Sequence, residues 1–205
     1  PEYFKALGQS NEGLEKICQL LILCWEETSL PKAWKFSRLI LLFKKGDPAC
    51  CDNYRPISLL AVGYKLLAAI LLPRLKAAGA EERIWSTRYG FKSGSGTSDA
   101  LFVARRIIDN AYASKDLSVS FLALDWAKAF DSISPTSLAE ALRRFGIPEK
   151  VVMMIQSIYQ DRKFFVRDFG QDSSLYAQDF EISEDCRLSA SVFIILITTL
   201  MNDAR

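Results

Sequence analysis

Asp125 follows the apolar stretch Phe121-Leu122-Ala123-Leu124, and Asp131 comes soon after, behind Phe130. A carboxylate just past the end of a buried strand is held by a rigid element and faces solvent or ligand. A hard divalent cation finds its oxygen ligand in such a place, and Mg²⁺ is usually held by only one or two carboxylates together with phosphates. Spacing alone favours a plainer role, that of ending a strand or capping the next helix, since Asp is common at both. A second constellation is Lys44-Lys45-Gly46-Asp47, followed by Tyr54-Arg55-Pro56-Ile57-Ser58. Two lysines on a turn and a later arginine can grip a polyphosphate, Lys as a point charge and Arg as a planar fork. A solvated turn has the same composition. A third group is Arg162, Lys163 and Arg167 around Phe164-Phe165. That mixture suits a surface tracking a nucleic-acid strand, and it suits half-buried strand packing equally well. The adjacent pairs Arg105-Arg106 and Arg143-Arg144 point apart on helices and read as solvated faces.

The elements that must position these groups follow from hydrophobic period and turn chemistry. Leu14, Ile17, Cys18, Leu21, Ile22 and Trp25 recur at helical spacing, ending before Leu30-Pro31. Residues 35–43 predict a strand, too continuous through Leu39-Ile40-Leu41-Leu42 for one exposed face. The loop over residues 44–48 is punctuated by Gly46 and Pro48. A long helical pattern then runs through Leu59, Leu66, Leu67, Ile70 and Leu71, and Pro73 should kink or end it. Residues 88–98 read as a loop and residues 99–114 as a helix. Val119, Phe121 and Ala123 alternate with their neighbours, which predicts a strand ending near Asp125. Ser134-Pro135 should start a helix that Gly146 stops. Another helix spans residues 149–160, residues 163–167 and 175–182 read as paired strands, and a last helix begins near Leu188. No repeat or linker divides the chain, which reads as one α/β or α+β unit with a mixed sheet.

Composition narrows the chemistry. Half of the 205 residues are apolar and 12% aromatic, enough for a real core and too many for disorder. With 26 Lys+Arg against 24 Asp+Glu the net charge is +2, so nucleic-acid binding has to come from local patches. Histidine is absent, which removes Ser-His-Asp and Cys-His nucleophiles, His general bases and His-ligated zinc. Five cysteines, an odd number without C-x-x-C spacing, argue against a disulfide scaffold or zinc ribbon and for a reducing compartment. The apolar run over residues 192–197 is too short to span a bilayer, and Gly63 and Lys65 interrupt the one at 57–72. The sequence opens on Pro1 without a signal peptide and is expected to be a fragment.

The order and spacing of these motifs resemble the reverse-transcriptase domain of non-LTR (LINE-type) retrotransposons. The matching residues begin with Trp34, Lys44-Lys45-Gly46-Asp47 and Asn53-Tyr54-Arg55-Pro56-Ile57-Ser58-Leu59-Leu60, then Tyr64-Lys65 and Arg74-Leu75. They continue with Gly90-Phe91, Asp99, Leu124-Asp125-Trp126-Ala127-Lys128-Ala129-Phe130-Asp131-Ser132-Ile133, Leu142 and Phe145-Gly146-Ile147-Pro148. The resemblance runs from Trp34 to the C-terminus. It implies an α+β fold, the fingers and partial palm of a right-hand polymerase, with mixed helices and an antiparallel palm sheet. Residues 1–33 would be a helical lead-in, 34–115 a fingers-like part and 116–205 the partial palm of one domain.

The implied function is an RNA-directed DNA polymerase that extends a DNA primer on an RNA template, using dNTPs and Mg²⁺. Asp125 matches the family's first catalytic, metal-binding aspartate, which would bridge two Mg²⁺ ions about 3.5–4 Å apart. Phe130 matches the aromatic gate that excludes a 2′-hydroxyl, while Lys45 and Arg55 match the residues that neutralise the incoming triphosphate. Leu188 and Ser189, with Cys186 and Phe193, match the segment supporting template and primer. The family implies an intracellular, in some members nuclear, setting and no membrane partner.

The chain also departs from the family. The glycines, glutamine and prolines of the template-support segment are missing from residues 183–193, and Glu184 and Asp185 bring negative charge there. The aromatic-x-Asp-Asp motif, which supplies the other catalytic carboxylates, does not occur. The stretch alone is therefore expected to lack polymerase activity. Two alternatives are a decayed domain that binds nucleic acid or protein without catalysis, and a maturase-like reverse transcriptase.

Overall fold

A computed structural model of the chain describes residues 2–92, 94–126, 128–168, 170–178, 182 and 186–204. Two helices lead in, α1 (Glu2–Leu7) and α2 (Asn11–Glu27). The Ser10 hydroxyl caps α2 by accepting from the Gly13 amide at 3.0 Å, and Thr28 closes it in the left-handed region. A 3₁₀ turn, Lys32–Lys35, delivers the chain into β1 (Phe36–Phe43). A tight loop ending in a second 3₁₀ turn, Cys51–Asn53, returns it as β2 (Tyr54–Leu59). Helices α3 (Val62–Ala77), α4 (Ala80–Arg83), α5 (Thr97–Ala113), α6 (Pro135–Arg144) and α7 (Glu149–Tyr159) follow. Strands β3 (Arg162–Asp168), β4 (Gln171–Asp172) and β5 (Tyr176–Gln178) precede the last helix, α8 (Arg187–Asp203).

The sheet order is β2-β1-β3-β4, with β5 also paired to β3. β1 runs antiparallel to β2, with Ile40 opposite Ile57, and parallel to β3, with Ser37 opposite Phe164. β3 is antiparallel to β5, with Arg162 opposite Gln178. The sheet is therefore mixed, its one parallel pair joining β1 to β3 and its other pairs antiparallel. A parallel β1–β3 pair is possible because a long, largely helical connection separates the two strands. Pro56 is tolerated in β2 because β2 is an edge strand.

The core lies among α3, α6, α7 and α8. Leu71, Leu142, Val152, Leu188 and Val192 are fully enclosed there. Ser134 caps α6 through the Ser137 amide at 3.1 Å. Gly146, with φ 82°, lets the Ile147 amide turn back to the Leu142 carbonyl at 3.0 Å, which closes α6 as the sequence predicts. Lys150 Nζ donates to the Glu26 carbonyl and to Thr28 Oγ1, each at 2.8 Å, and so ties the end of α2 to α7. No helix among the described residues is long and apolar enough to cross a membrane.

Three expectations need correction. Of the kink or end expected at Pro73, the end does not occur, since α3 continues to Ala77. A mid-helix proline costs about 3 kcal/mol, but burying Leu71 and Leu75 on either side of it returns about 1.5–3 kcal/mol each. Leu59, read as part of the long helical pattern, instead ends β2, because β1 offers residues 54–59 a hydrogen-bonding neighbour. The strand predicted over residues 119–125 is absent. Phe121, Leu122 and Leu124 are all exposed, and no described strand lies beside them to complete a ladder. α5 is likewise amphipathic, yet none of its residues is buried. The two apolar surfaces border one concavity of about 410 Å³, lined by Ile108, Tyr112, Leu117, Val119 and Phe121.

Gly63, in the first turn of α3, lies beneath the Trp34 indole. A Cβ there would come within 2.1 Å of the ring. Gly63→Ala should lower unfolding stability by about 1–3 kcal/mol, read as a reduced urea midpoint at unchanged m-value. An unchanged midpoint would mean that Trp34 moves aside without cost.

Candidate functional site

The β1–β2 hairpin positions the first set of cations. The Lys44 amide donates to the Asn53 carbonyl at 2.8 Å, and Asn53 Nδ2 donates to the Asp47 carbonyl at 2.9 Å. Asp47 Oδ1 accepts from the Ala49 amide, and the Tyr54 hydroxyl donates to the Pro48 carbonyl, both at 2.9 Å. Gly46 supplies the positive φ of 99° that the turn requires, with Asn53 Nδ2 only 2.8 Å from where a Cβ would stand. Phe43 and Tyr54 pack across the two strands with ring centres 5.4 Å apart. The outcome is a stiff tip bearing Lys44, Lys45 and Arg55, all exposed, with no ion pair to any of them among the described residues. Lys45 and Arg55 thus lie at one end of one hairpin.

The outer face of the sheet carries a second set. Arg38 stands opposite Phe165 in register, its guanidinium 5.7 Å from the ring centre. Lys163 and Arg167 share the parity of Phe165 on β3, and both are exposed. Arg167 forms a paired contact with Asp172, whose carboxyl is held below its usual range by that hydrogen bond. Arg162 does not belong to this surface, and of the two readings the sequence leaves open, strand packing describes it. It has the opposite parity, faces the helices and is 3% exposed.

Asp125 is exposed on the irregular segment before a turn and takes part in no described hydrogen bond or ion pair. It does not stand at a strand's end, and nothing in the described contacts joins it to Lys45 or Arg55. The chain is anchored again from three residues on. Lys128, with φ 52°, accepts from the Ser132 amide at 3.0 Å through its carbonyl. The Phe130 carbonyl accepts from the Ile182 amide at 3.1 Å, and the Phe130 ring stacks on Phe193 of α8 at 4.6 Å and 27°. Phe130 is half-buried against the core, while Asp131 is exposed.

Leu188 and Ser189 sit in the first turn of α8, both fully enclosed. The Ser189 hydroxyl is 2.9 Å from that of Tyr159. Direct contact with nucleic acid is closed to both in this conformation, so any support they give acts through packing. Ala127 and the Ser183, Glu184 and Asp185 departures lie outside the described residues. Among the described residues no group of three or more Cys, Asp or Glu could hold a metal ion. Asp125 offers one carboxylate, which does not fit a two-ion centre.

Sequence reasoning missed the polar cluster beneath the sheet, because Tyr159 looked like one more position in an apolar helical stripe. Burial pushes the Tyr159 hydroxyl up to about 12, against the hydrogen bond from Ser189 that lowers it. Burial also pushes Tyr64 well above its ordinary value, and the Arg162 charge draws both tyrosines back down. A phenolate at position 159 is therefore less favourable in the folded chain than in the unfolded one. Stability should be unaffected below the unfolded value of 10 and should fall as pH rises from there towards about 12. The loss is roughly 2–3 kcal/mol, and Tyr159→Phe should remove that part of the decline in urea unfolding. Identical pH profiles for parent and variant would contradict the assignment.

Comparison with known proteins adds a family. Residues 43–205 match the family model described as reverse transcriptase (RNA-dependent DNA polymerase). The chain is 32% identical over 148 residues to the RNA-directed DNA polymerase from mobile element jockey of Drosophila melanogaster, covering 71% of the chain and 16% of that protein. It is 28% identical over 179 residues to a transposon TX1 uncharacterized 149 kDa protein of Xenopus laevis, covering 87% of the chain and 14% of the relative. It is 26% identical over 188 residues to the retrovirus-related Pol polyprotein from type-2 retrotransposable element R2DM of Drosophila melanogaster, covering 91% and 17%. The chain thus spans less than a fifth of the length of these relatives.

Proposed function

The chain belongs to the reverse transcriptase (RNA-dependent DNA polymerase) family, and from that premise we propose that it contributes the nucleotide-gripping and template-tracking part of a polymerase that extends a DNA primer on RNA. The observation that carries this reading is the stiff hairpin tip holding Lys44, Lys45 and Arg55 without acidic partners. Unpaired cations on a fixed turn can neutralise a triphosphate, and the planar Arg55 guanidinium can take two oxygens at once. The outer sheet face, with Arg38 over Phe165 and with Lys163 beside them, offers charge and stacking to a single strand without reading its sequence.

Phe130 acts in this reading as the gate against a 2′-hydroxyl, which suits a ring fixed from behind by Phe193. Leu188 and Ser189 hold the start of α8 in place beneath it. Asp125 serves as one carboxylate ligand of a divalent ion, with Mg²⁺ as the family expectation. A single carboxylate fixes no ion geometry, so no catalytic step is assigned through it. The domain division at residues 33 and 115 and a protein of fingers and palm belong to the same proposal. That lone carboxylate also favours a second reading, a domain that binds nucleic acid without catalysis.

Binding of a fluorescent RNA–DNA primer–template, followed by anisotropy across a salt series, tests the proposal. Affinity should fall steeply with salt, and Lys45→Ala or Arg55→Ala should each reduce the log–log slope by about 1. A response independent of salt, or unchanged slopes in both variants, would refute phosphate contact at the hairpin. The 205-residue chain alone should incorporate no dNTP. Mg²⁺-dependent incorporation abolished by Asp125→Asn would show that one carboxylate suffices.

A further inference from the structure

Helix α5 and the segment after it present one apolar surface that no described element covers. Leu101, Ile108 and Tyr112 form a stripe on α5, and Leu117, Val119 and Phe121 stand beside it on the segment; all six are 38–89% exposed. Val119 and Phe121 are less exposed than Leu122 and Leu124, so the odd-numbered side chains face α5 and the even-numbered ones face solvent. Residues 117–126 take part in no described backbone hydrogen bond, which leaves their amides and carbonyls open to a ladder. A fully buried aromatic side chain covers about 150–250 Å². Six large apolar side chains therefore amount to several hundred Å² per copy, on the order of the ~800 Å² that one side of a stable dimer buries. A patch of that size marks an interaction site.

The segment is also complementary to itself. We propose that this face is the interface of a symmetric dimer, in which residues 117–124 of two copies pair as antiparallel strands about a two-fold axis at Ser120. In that register Val119 of each copy stands opposite Phe121 of the other, and Leu117 opposite Ala123, so the apolar sides coincide. Lys115, in the turn before the segment, then stands opposite Asp125 of the second copy, twice in one dimer. Both residues are exposed, and neither forms an ion pair among the described residues. Registers one or two residues away set Asp125 against Ala113, Ser114, Asp116 or Leu117 instead. The one-residue shifts also bring Ser118 and Ser120 onto the apolar side. A second copy supplies what the alternation of Val119, Phe121 and Ala123 lacks in the single chain, a neighbour whose amides complete the ladder. The pairing gives the Asp125 carboxylate an ammonium partner in place of a metal ion, and it does not rest on the polymerase reading.

Sedimentation velocity of the 205-residue chain over a concentration series tests the proposal. The mass should pass from 23.1 kDa to twice that value and stop there, as a closed two-fold pair requires. Lys115→Asp and Asp125→Lys should each raise the dimer dissociation constant roughly tenfold or more, because each turns two attractive pairs into repulsive ones. The double variant, with the charges exchanged, should return close to the parent value. Should either variant fail to fold, hydrogen exchange of the parent decides. Alternate amides over residues 117–124 should slow as the dimer forms, since every second amide of a strand points at its neighbour. A chain that is monomeric at every concentration, leaving the face to another molecule, would overturn the proposal. So would larger open-ended assemblies, a double variant no tighter than the single ones, or exchange independent of concentration.

Discussion

β1 must satisfy two neighbours at once, and most of the molecule's functional geometry depends on that. Its antiparallel edge fixes the register of β2, which puts Arg55 opposite Leu42 and closes the turn bearing Lys44 and Lys45. Its parallel edge fixes β3, which puts Phe165 opposite Arg38 on one face and leaves Arg162 and Phe164 on the other. Because side chains alternate, a one-residue slip along β3 would exchange its two faces. Lys163 and Arg167 would then lie against the helices, and Arg162 would meet solvent. The positions of the solvated cations and of the buried one are therefore set by the same backbone ladder.

The helical layer holds that ladder in register. Ser37, Leu39 and Ser58 point inward from β1 and β2, where they meet a core built around Tyr64, Tyr159 and α8. α8 is apolar over most of its circumference because α3 and α6 both pack against it. Phe193 extends that packing to Phe130, and Ala129 and Ile133 of the Asp125 motif also meet the core. The motif is thus anchored behind its carboxylate while the carboxylate itself stays free. The contact with Phe193 holds the Phe130 ring in place, while no described hydrogen bond or ion pair positions Asp125.

Elements governed by local chemistry were legible in the sequence. Ser134-Pro135 and Gly146 bracket α6 because a cap hydroxyl, a fixed φ and a left-handed glycine act within a few residues of themselves. The amphipathic stripes of α2 and α7 were legible for the same reason. The hairpin cations could be read as well, since Gly46 and Pro48 specify a turn wherever the strands run. What failed was whatever depended on a distant partner. Val119, Phe121 and Ala123 alternate as a strand should, but alternation describes side chains and cannot supply the neighbour whose amides complete a ladder. Arg162 was grouped with Lys163 and Arg167 by composition, whereas parity divides them.

The failures at α5 and at residues 117–126 have a common physical basis. Both segments are apolar enough to be buried, and both stay exposed around one concavity. An isolated strand gains no hydrogen bonds that water does not already give it, so exposed apolar side chains alone cannot order it. Asp125 inherits that lack of order because it ends such a segment. The hairpin cations, by contrast, are fixed by contacts within a dozen residues of themselves. The geometry of this cationic tip is therefore set by local contacts alone. No described strand does the same for residues 117–126, so Asp125 has no comparable support.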